Sequence, residues 1–196
     1  MADSTRPLTA LVVIDVQRDF CEGGVLPARS TTTLIGPLNA VIGSCAAANV
    51  PIVLTRDWHP PDHSSFQSEG GRWPAHCVQS TPGAEFASGL KVAAGVTIID
   101  KGVDRGAPGY SAFEATDLAR RLADSGVTDL AVCGIATEYC VLETAKDARR
   151  LGFRVILLED LTRPIDASPG DAERAVREMQ ALGVDRSSSA RWRPSR

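Results

Sequence analysis

The chain has 196 residues with a formal net charge of −3, and 43% of them are hydrophobic against 23% charged, the balance of a globular protein able to bury a sizeable core. A weakly acidic chain presents no basic surface for nucleic acid, and no apolar run approaches the roughly 20 residues that span a bilayer. The start, MADSTRPLTALVVIDVQ, lacks the apolar length and small-residue cleavage site of a secretory signal.

The first element is TALVVIDV (9–16), a continuous apolar run ending in an acid, as in a strand buried on both faces. A polar, glycine-containing loop follows it. Residues 31–50 carry Leu, Ile and Val at roughly helical spacing, weakened by Gly36, Pro37 and Gly43. PIVLTRD (51–57) is a second strand, and residues 58–90 form a long irregular stretch rich in Pro, Gly, Ser, His and Trp. Unstructured stretches of that length inside a compact domain are uncommon and often functional. GVTIIDKG (95–102) is a third strand, and residues 111–126 read as an amphipathic helix ending at Gly126. TDLAVCG (128–134) is a fourth strand, residues 138–152 a helix and FRVILLED (153–160) a fifth strand. Residues 170–183 are a last helix, with room for a short strand after it.

This alternation predicts an α/β fold: a three-layer, open, mostly parallel sheet of about five to six strands with helices on both faces. No repeat or linker divides it, so one domain is expected over 1–196. Its polar, arginine-rich tail (187–196) is expected to be poorly ordered.

In such sheets ligands bind beyond the carboxyl ends of the strands. Asp15 ends the first strand, Asp57 the second, Lys101 follows the third and Cys140 the fourth. Parallel strands would gather all four on one edge. Packing is the bland account of Cys140, since free cysteine is among the most buried residue types. Near a helix start, however, a thiolate would be favoured and its pKa lowered, with Lys101 adding positive charge. The N–H groups of that turn, with that of Ala136, could hold an oxyanion. Cys45 and Cys133 sit inside apolar segments and read as inert thiols. The five cysteines, Cys21 and Cys77 included, are odd in number and irregularly spaced, which argues for a reducing cytoplasm.

An activated cysteine needs a group to manage protons. All three histidines, His59, His63 and His76, fall in the irregular stretch, so Asp15 is the better-placed candidate. In extended chain, Asp57 and His59 face the same way and can share a metal ion, with His76 a third ligand. Histidines of a polar loop surface are the alternative. His63 is either a further ligand or a group hydrogen-bonding behind the ligands.

The motifs LVVIDVQRDFCEGGVLP, TRDWHPPDHSSF, RWPAHCVQSTPGAEF, DKG, YSAF and VCGIATEYCVLETAKDA resemble, in order, those of the nicotinamidase/pyrazinamidase family within the isochorismatase-like cysteine hydrolases. The resemblance covers about residues 10–162. It implies the isochorismatase-like hydrolase fold and a catalytic set of Asp15, Lys101 and Cys140. It also implies an oxyanion hole from the backbone N–H groups of Ala136 and Cys140, with a cis Ile135–Ala136 peptide. Asp57, His59 and His76 would hold one divalent metal ion, zinc first, with iron or manganese as alternatives. Phe20, Leu26, Trp73, Ile135, Ala136 and Tyr139 would surround the substrate. The implied reaction is hydrolysis of nicotinamide, and of pyrazinamide, through a cysteine thioester, a step of NAD salvage. The resemblance leaves a homo-oligomer open. The rivals are an N-carbamoyl or ureidoacrylate-type amidohydrolase of the same superfamily, and a non-catalytic metal-binding or redox-sensing domain.

Overall fold

The computed structural model describes residues 8–92 and 94–194. The first seven residues of the segment judged for a signal, and the last two of the tail, lie outside the described residues. Six strands, β1 (Leu8–Ile14), β2 (Ile52–Asp57), β3 (Thr97–Lys101), β4 (Val127–Ile135), β5 (Arg154–Arg163) and β6 (Asp185–Ser187), form one sheet in the order β3-β2-β1-β4-β5-β6. Every pairing is parallel, so "mostly parallel" becomes wholly parallel.

Because side chains alternate across a strand, each central strand feeds two cores. Leu11 and Val13 of β1 point to one face, where they meet Leu38, Val41, Ile42 and Cys45 of helix α1 (Ile35–Ala47). Ala10, Val12 and Ile14 point to the other. There they meet helices α2 (Leu118–Asp124), α3 (Leu142–Arg150) and α4 (Asp171–Ala181) through Leu118, Leu122, Ala145 and Met179. Burying each large apolar side chain contributes about 1.5–3 kcal/mol, and this double burial is why the strands read as unbroken apolar runs.

The chain steps outward from β1 through β2 to β3, then returns to the other side of β1 as β4 and continues through β5 to β6. The strand order therefore reverses between β1 and β4, the crevice where ligands bind in open α/β sheets.

Three helices differ from expectation. Gly36 and Pro37 fall in the first turn of α1, where proline is tolerated, and residues 31–33 form a separate 3₁₀ turn. The helix expected over 111–126 is confined to Leu118–Asp124. Upstream of it, Ala115 has φ 53°, the Thr116 hydroxyl donates to the Ala112 carbonyl, and the Ala112 N–H donates to Thr144 Oγ1. These bonds offer the backbone an alternative to the helix. The helix expected over 138–152 opens instead with a π-turn, Thr137–Val141, and only then becomes α3. In the C-terminal segment, Ser187 ends β6 and Trp192 is buried in the α1-side core.

Candidate active site at the carboxyl edge of the sheet

The β1 chain turns sharply after Ile14. Asp15 takes φ 46°, a left-handed conformation that aspartate tolerates better than most residues. Thr55 of β2 holds it there twice. The threonine hydroxyl donates to Asp15 Oδ1 at 2.6 Å and accepts the Asp15 N–H at 3.2 Å. On the other side of β1, Gly134 near the end of β4 has φ 117°, and a Cβ there would lie 2.1 Å from the Ile14 carbonyl oxygen. The next bond, Ile135–Ala136, is cis, as the resemblance implies, and the π-turn then brings Cys140 back under the sheet edge.

Lys101 closes the cluster. Its Nζ lies 2.7 Å from Asp15 Oδ2, 2.5 Å from Asp57 Oδ1 and 3.4 Å from Cys140 Sγ, and donates to the Gly109 carbonyl at 2.7 Å. One donor atom each from Asp15, Asp57 and Cys140 lie within 4.8 Å of one another. All of these side chains are buried. Burial works against the Lys101 charge, but the Asp15 and Asp57 carboxylates overcome it and hold the ammonium well above its usual range. Burial pushes Asp15 up to about 6, with Lys101 pulling it down and Asp57 pushing it up. Burial also acts on Asp57, yet Lys101 and His59 win and keep its carboxyl well below the usual carboxylate range.

Cys140 corrects an expectation. It sits in the π-turn, not in the first turn of an α-helix, and burial pushes its thiol well above the ordinary value. Lys101 lowers it and the two carboxylates raise it again. The resting group is a thiol beside a carboxylate, so a base must generate the nucleophile. Cys45 and Cys133 are buried, as the sequence indicates, with Cys45 pushed up to about 12. None of the five cysteines is in a disulfide.

Beside this cluster the histidine stretch folds into a laced loop. The His59 N–H donates to the Cys77 carbonyl at 3.0 Å, and the Gln79 N–H to the His59 carbonyl at 2.8 Å, which draws His59 and His76 together. Phe66 is fully buried under all three histidines, its ring 5.5–5.7 Å from each. His59 Nδ1 meets the Gly102 carbonyl at 2.9 Å, and His76 Nδ1 the Pro74 carbonyl at 2.8 Å. Both carbonyls fix the Nδ1–H tautomer and leave Nε2 as a lone-pair donor. Gly102 is required here, since a Cβ would lie 2.4 Å from His59 Cε1. With Oδ1 on Lys101, Asp57 presents Oδ2 3.5 Å from His59 Nε2. The Asp57, His59 and His76 donor atoms lie within 4.8 Å of one another. Two neutral imidazoles and one carboxylate, with their other atoms already engaged, fit a divalent ion.

His63 is placed otherwise. Its Nε2 meets the Ala107 carbonyl at 2.8 Å, its Nδ1 meets Ser65 Oγ at 2.7 Å, and its ring stacks on His59 at 4.1 Å. Both nitrogens are occupied, so it braces the His59 ring.

Between cluster and donor set lies a narrow pocket lined by Phe20, Leu26, Asp57, Trp73, His76, Tyr110, Ala136, Tyr139, Cys140 and Ile165. Of the expected substrate residues, Ile135 alone is absent from the lining; it is fully buried in the α1-side core. Sequence reasoning missed Tyr110 and Ile165 in the lining, Thr55 behind Asp15, and Phe66. It also missed Gln17, whose buried amide accepts the Asp57 N–H and donates to the carbonyls of Asp57 and Ala84. Tyr110 and Phe66 lie inside the recognised YSAF and HSSF motifs, which were the available signals. Thr55 and Gln17 also lie inside recognised motifs, but nothing local marks their roles, because their partners are 40 residues away or more.

A buried Cys–Asp–Lys cluster at the switch point of a parallel α/β sheet, beside an Asp–His–His donor set, is the arrangement of a metal-assisted cysteine hydrolase. Residues 9–191 match the isochorismatase domain, and the chain belongs to that family. It is 33% identical to a nicotinamidase of Escherichia coli K12, covering 95% of this chain and 97% of that one. It is 38% identical to a nicotinamidase/pyrazinamidase of Mycobacterium tuberculosis H37Rv, covering 91% and 97%. The fold superposes on a pyrazinamidase of Pyrococcus horikoshii solved in complex with zinc, with TM-score 0.88 and 45% identity, covering 93% and 99% of the two chains. Among the described residues no helix is long and apolar enough to cross a membrane.

Proposed function

We propose that this chain hydrolyses the carboxamide of nicotinamide, and of pyrazinamide, to the carboxylate and ammonia through a thioester on Cys140. The observation that carries the reading is Lys101 Nζ in contact with Asp15, Asp57 and Cys140, with Asp57 and Cys140 lining one pocket together with His76 of the Asp57–His59–His76 donor set. The names of its nearly full-length relatives support the substrate. The five free cysteines fit a reducing compartment, and we place the enzyme in the cytoplasm.

The donor set fits one divalent ion, zinc by analogy with the archaeal relative. Held by Asp57, His59 and His76, it would supply a Lewis-acidic site suited to the lone pair of a ring nitrogen. Phe20 and Trp73 flank the ring, and the carboxamide is turned to Cys140. The Asp15 carboxylate takes the thiol proton as sulfur attacks the carboxamide carbon, and the carbonyl electron pair moves onto oxygen. The N–H groups of Ala136 and Cys140 receive that oxyanion. Asp15 passes the proton to nitrogen, the C–N bond breaks and ammonia leaves. Water then adds to the thioester, losing a proton to Asp15; the C–S bond breaks and Cys140 regains its proton. Lys101 stays charged throughout and compensates the two carboxylates. An Asp carboxyl pushed up to about 6 suits a group that must take and give a proton near neutrality.

The test is ammonia release from nicotinamide. Wild type should turn over, and Cys140→Ala should lose on the order of 10⁴-fold or more in kcat. Full activity in Cys140→Ala would sink the thioester route, and cleavage of a carbamoyl compound with nicotinamide inert would assign the rival amidohydrolase chemistry.

A further inference from the structure

Arg72 is not part of the pocket lining, yet its guanidinium carbon stands 4.6 Å from the Trp73 ring centre and 5.5 Å from that of Tyr139. Arg72 is exposed, and among the described residues its guanidinium has no carboxylate at ion-pair distance. Beneath it three aromatic rings from three separate segments meet. Trp73 comes from the histidine loop, Tyr110 from the loop after β3 and Tyr139 from the turn before Cys140. The Trp73 Nε1–H donates to Tyr110 Oη at 2.9 Å, the Trp73 and Tyr139 rings meet edge to face at 5.1 Å, and Tyr110 stacks on Tyr139 at 6.0 Å. Tyr110 and Tyr139 are half-buried and line the pocket with Trp73, so the trio forms part of its mouth. A cation over two rings from different segments holds those segments together.

The reaction fixes which part of the substrate meets this trio. With the ring nitrogen at the donor set and the carboxamide carbon at Cys140, ring carbon 2 lies between the two anchors. Carbon 5 then points directly away from both, into the part of the lining that neither anchor supplies, to which Tyr110 and Tyr139 belong beside Trp73. We propose that Arg72 is a positioning residue for substrate range: by clamping Trp73 and Tyr139 together it narrows the mouth against nicotinamides substituted at carbon 5. This rests on the nicotinamide reading above.

The experiment compares kcat/KM for 5-methylnicotinamide and for nicotinamide in the metal-loaded wild type, Arg72→Ala and Arg72→Lys. The ratio of the two constants does not depend on how much of a preparation is folded, so simple destabilisation leaves it unchanged. In Arg72→Ala the ratio should rise about two- to fivefold, the size expected from losing an exposed cation–π contact. Arg72→Lys keeps the cation and should stay close to the wild-type ratio. An unchanged ratio in Arg72→Ala, or an equal rise in Arg72→Lys, overturns the clamp while leaving the amidase reading intact. A wild type inert toward nicotinamide overturns both.

Discussion

Thr55 uses one hydroxyl to donate to the Asp15 carboxylate and to accept the Asp15 N–H, fixing both the charge and the backbone of the proposed proton carrier. Thr55→Val keeps the shape but leaves a buried carboxylate oxygen and a buried N–H without that partner. Hydrogen bonds to charged groups are worth about 1.5–3 kcal/mol, so kcat/KM should fall roughly 10- to 100-fold, with Thr55→Ser restoring most of it. Equal activity in Thr55→Val and wild type would remove Thr55 from the site. His63 gives a second test at this scale. Because its nitrogens are engaged by Ser65 and Ala107, His63→Ala should retain about one equivalent of metal after dialysis, whereas His76→Ala should lose it. Elemental analysis decides, and metal loss in both variants to the same degree would make His63 a ligand. Residues at strand ends were legible because the parallel-sheet rule converts sequence position into place. Thr55, Gln17 and Ile165 were not, since only the folded chain brings their partners near.

At the scale of the element, the close approach of β1 and β4 sets the geometry of the crevice. Gly134 lies against the Ile14 backbone, with three main-chain atoms inside 3 Å of any added Cβ and a φ of 117°. Neither strand can yield without moving Asp15 or the Cys140 turn. Gly134→Ala should therefore lose about 3 kcal/mol, or roughly 6–12 °C in Tm for a chain of this length. A Tm within about 2 °C of wild type would show that the strands relax freely. The central strands β1, β2 and β4 were readable because burial on both faces makes them continuous apolar runs. The helices were read less well. The apolar spacing of 111–126 is helical, but Thr116 and Thr144 give its first turn other hydrogen bonds. The π-turn at Cys140 has no spacing of its own to betray it. Periodicity reports which side of an element is buried, and it is silent on how the chain enters that element.

For the whole molecule, the donor set ties the sheet to its longest irregular segment. Asp57 ends β2, while His59 and His76 lie in the loop that follows, and that loop contains no α-helix to hold it. Its order rests on Phe66, a few bridges and the hydrogen bonds around the histidines. A ligand that binds only the folded state stabilises it by about 4 kcal/mol at a thousandfold excess over Kd. That corresponds to a rise in Tm on the order of 10 °C at this size. Chelation of the wild type, with metal loss verified by analysis, should therefore lower Tm by about that amount, abolish turnover and open residues 58–90 to proteolysis. Cys140→Ala keeps all three ligands and should show the same shift without any activity, which separates holding the fold from performing the chemistry. His76→Ala should begin at the lower Tm and respond little to chelator. A wild-type Tm indifferent to verified metal loss would mean that the loop is held by its own contacts, leaving the ion to serve the substrate alone.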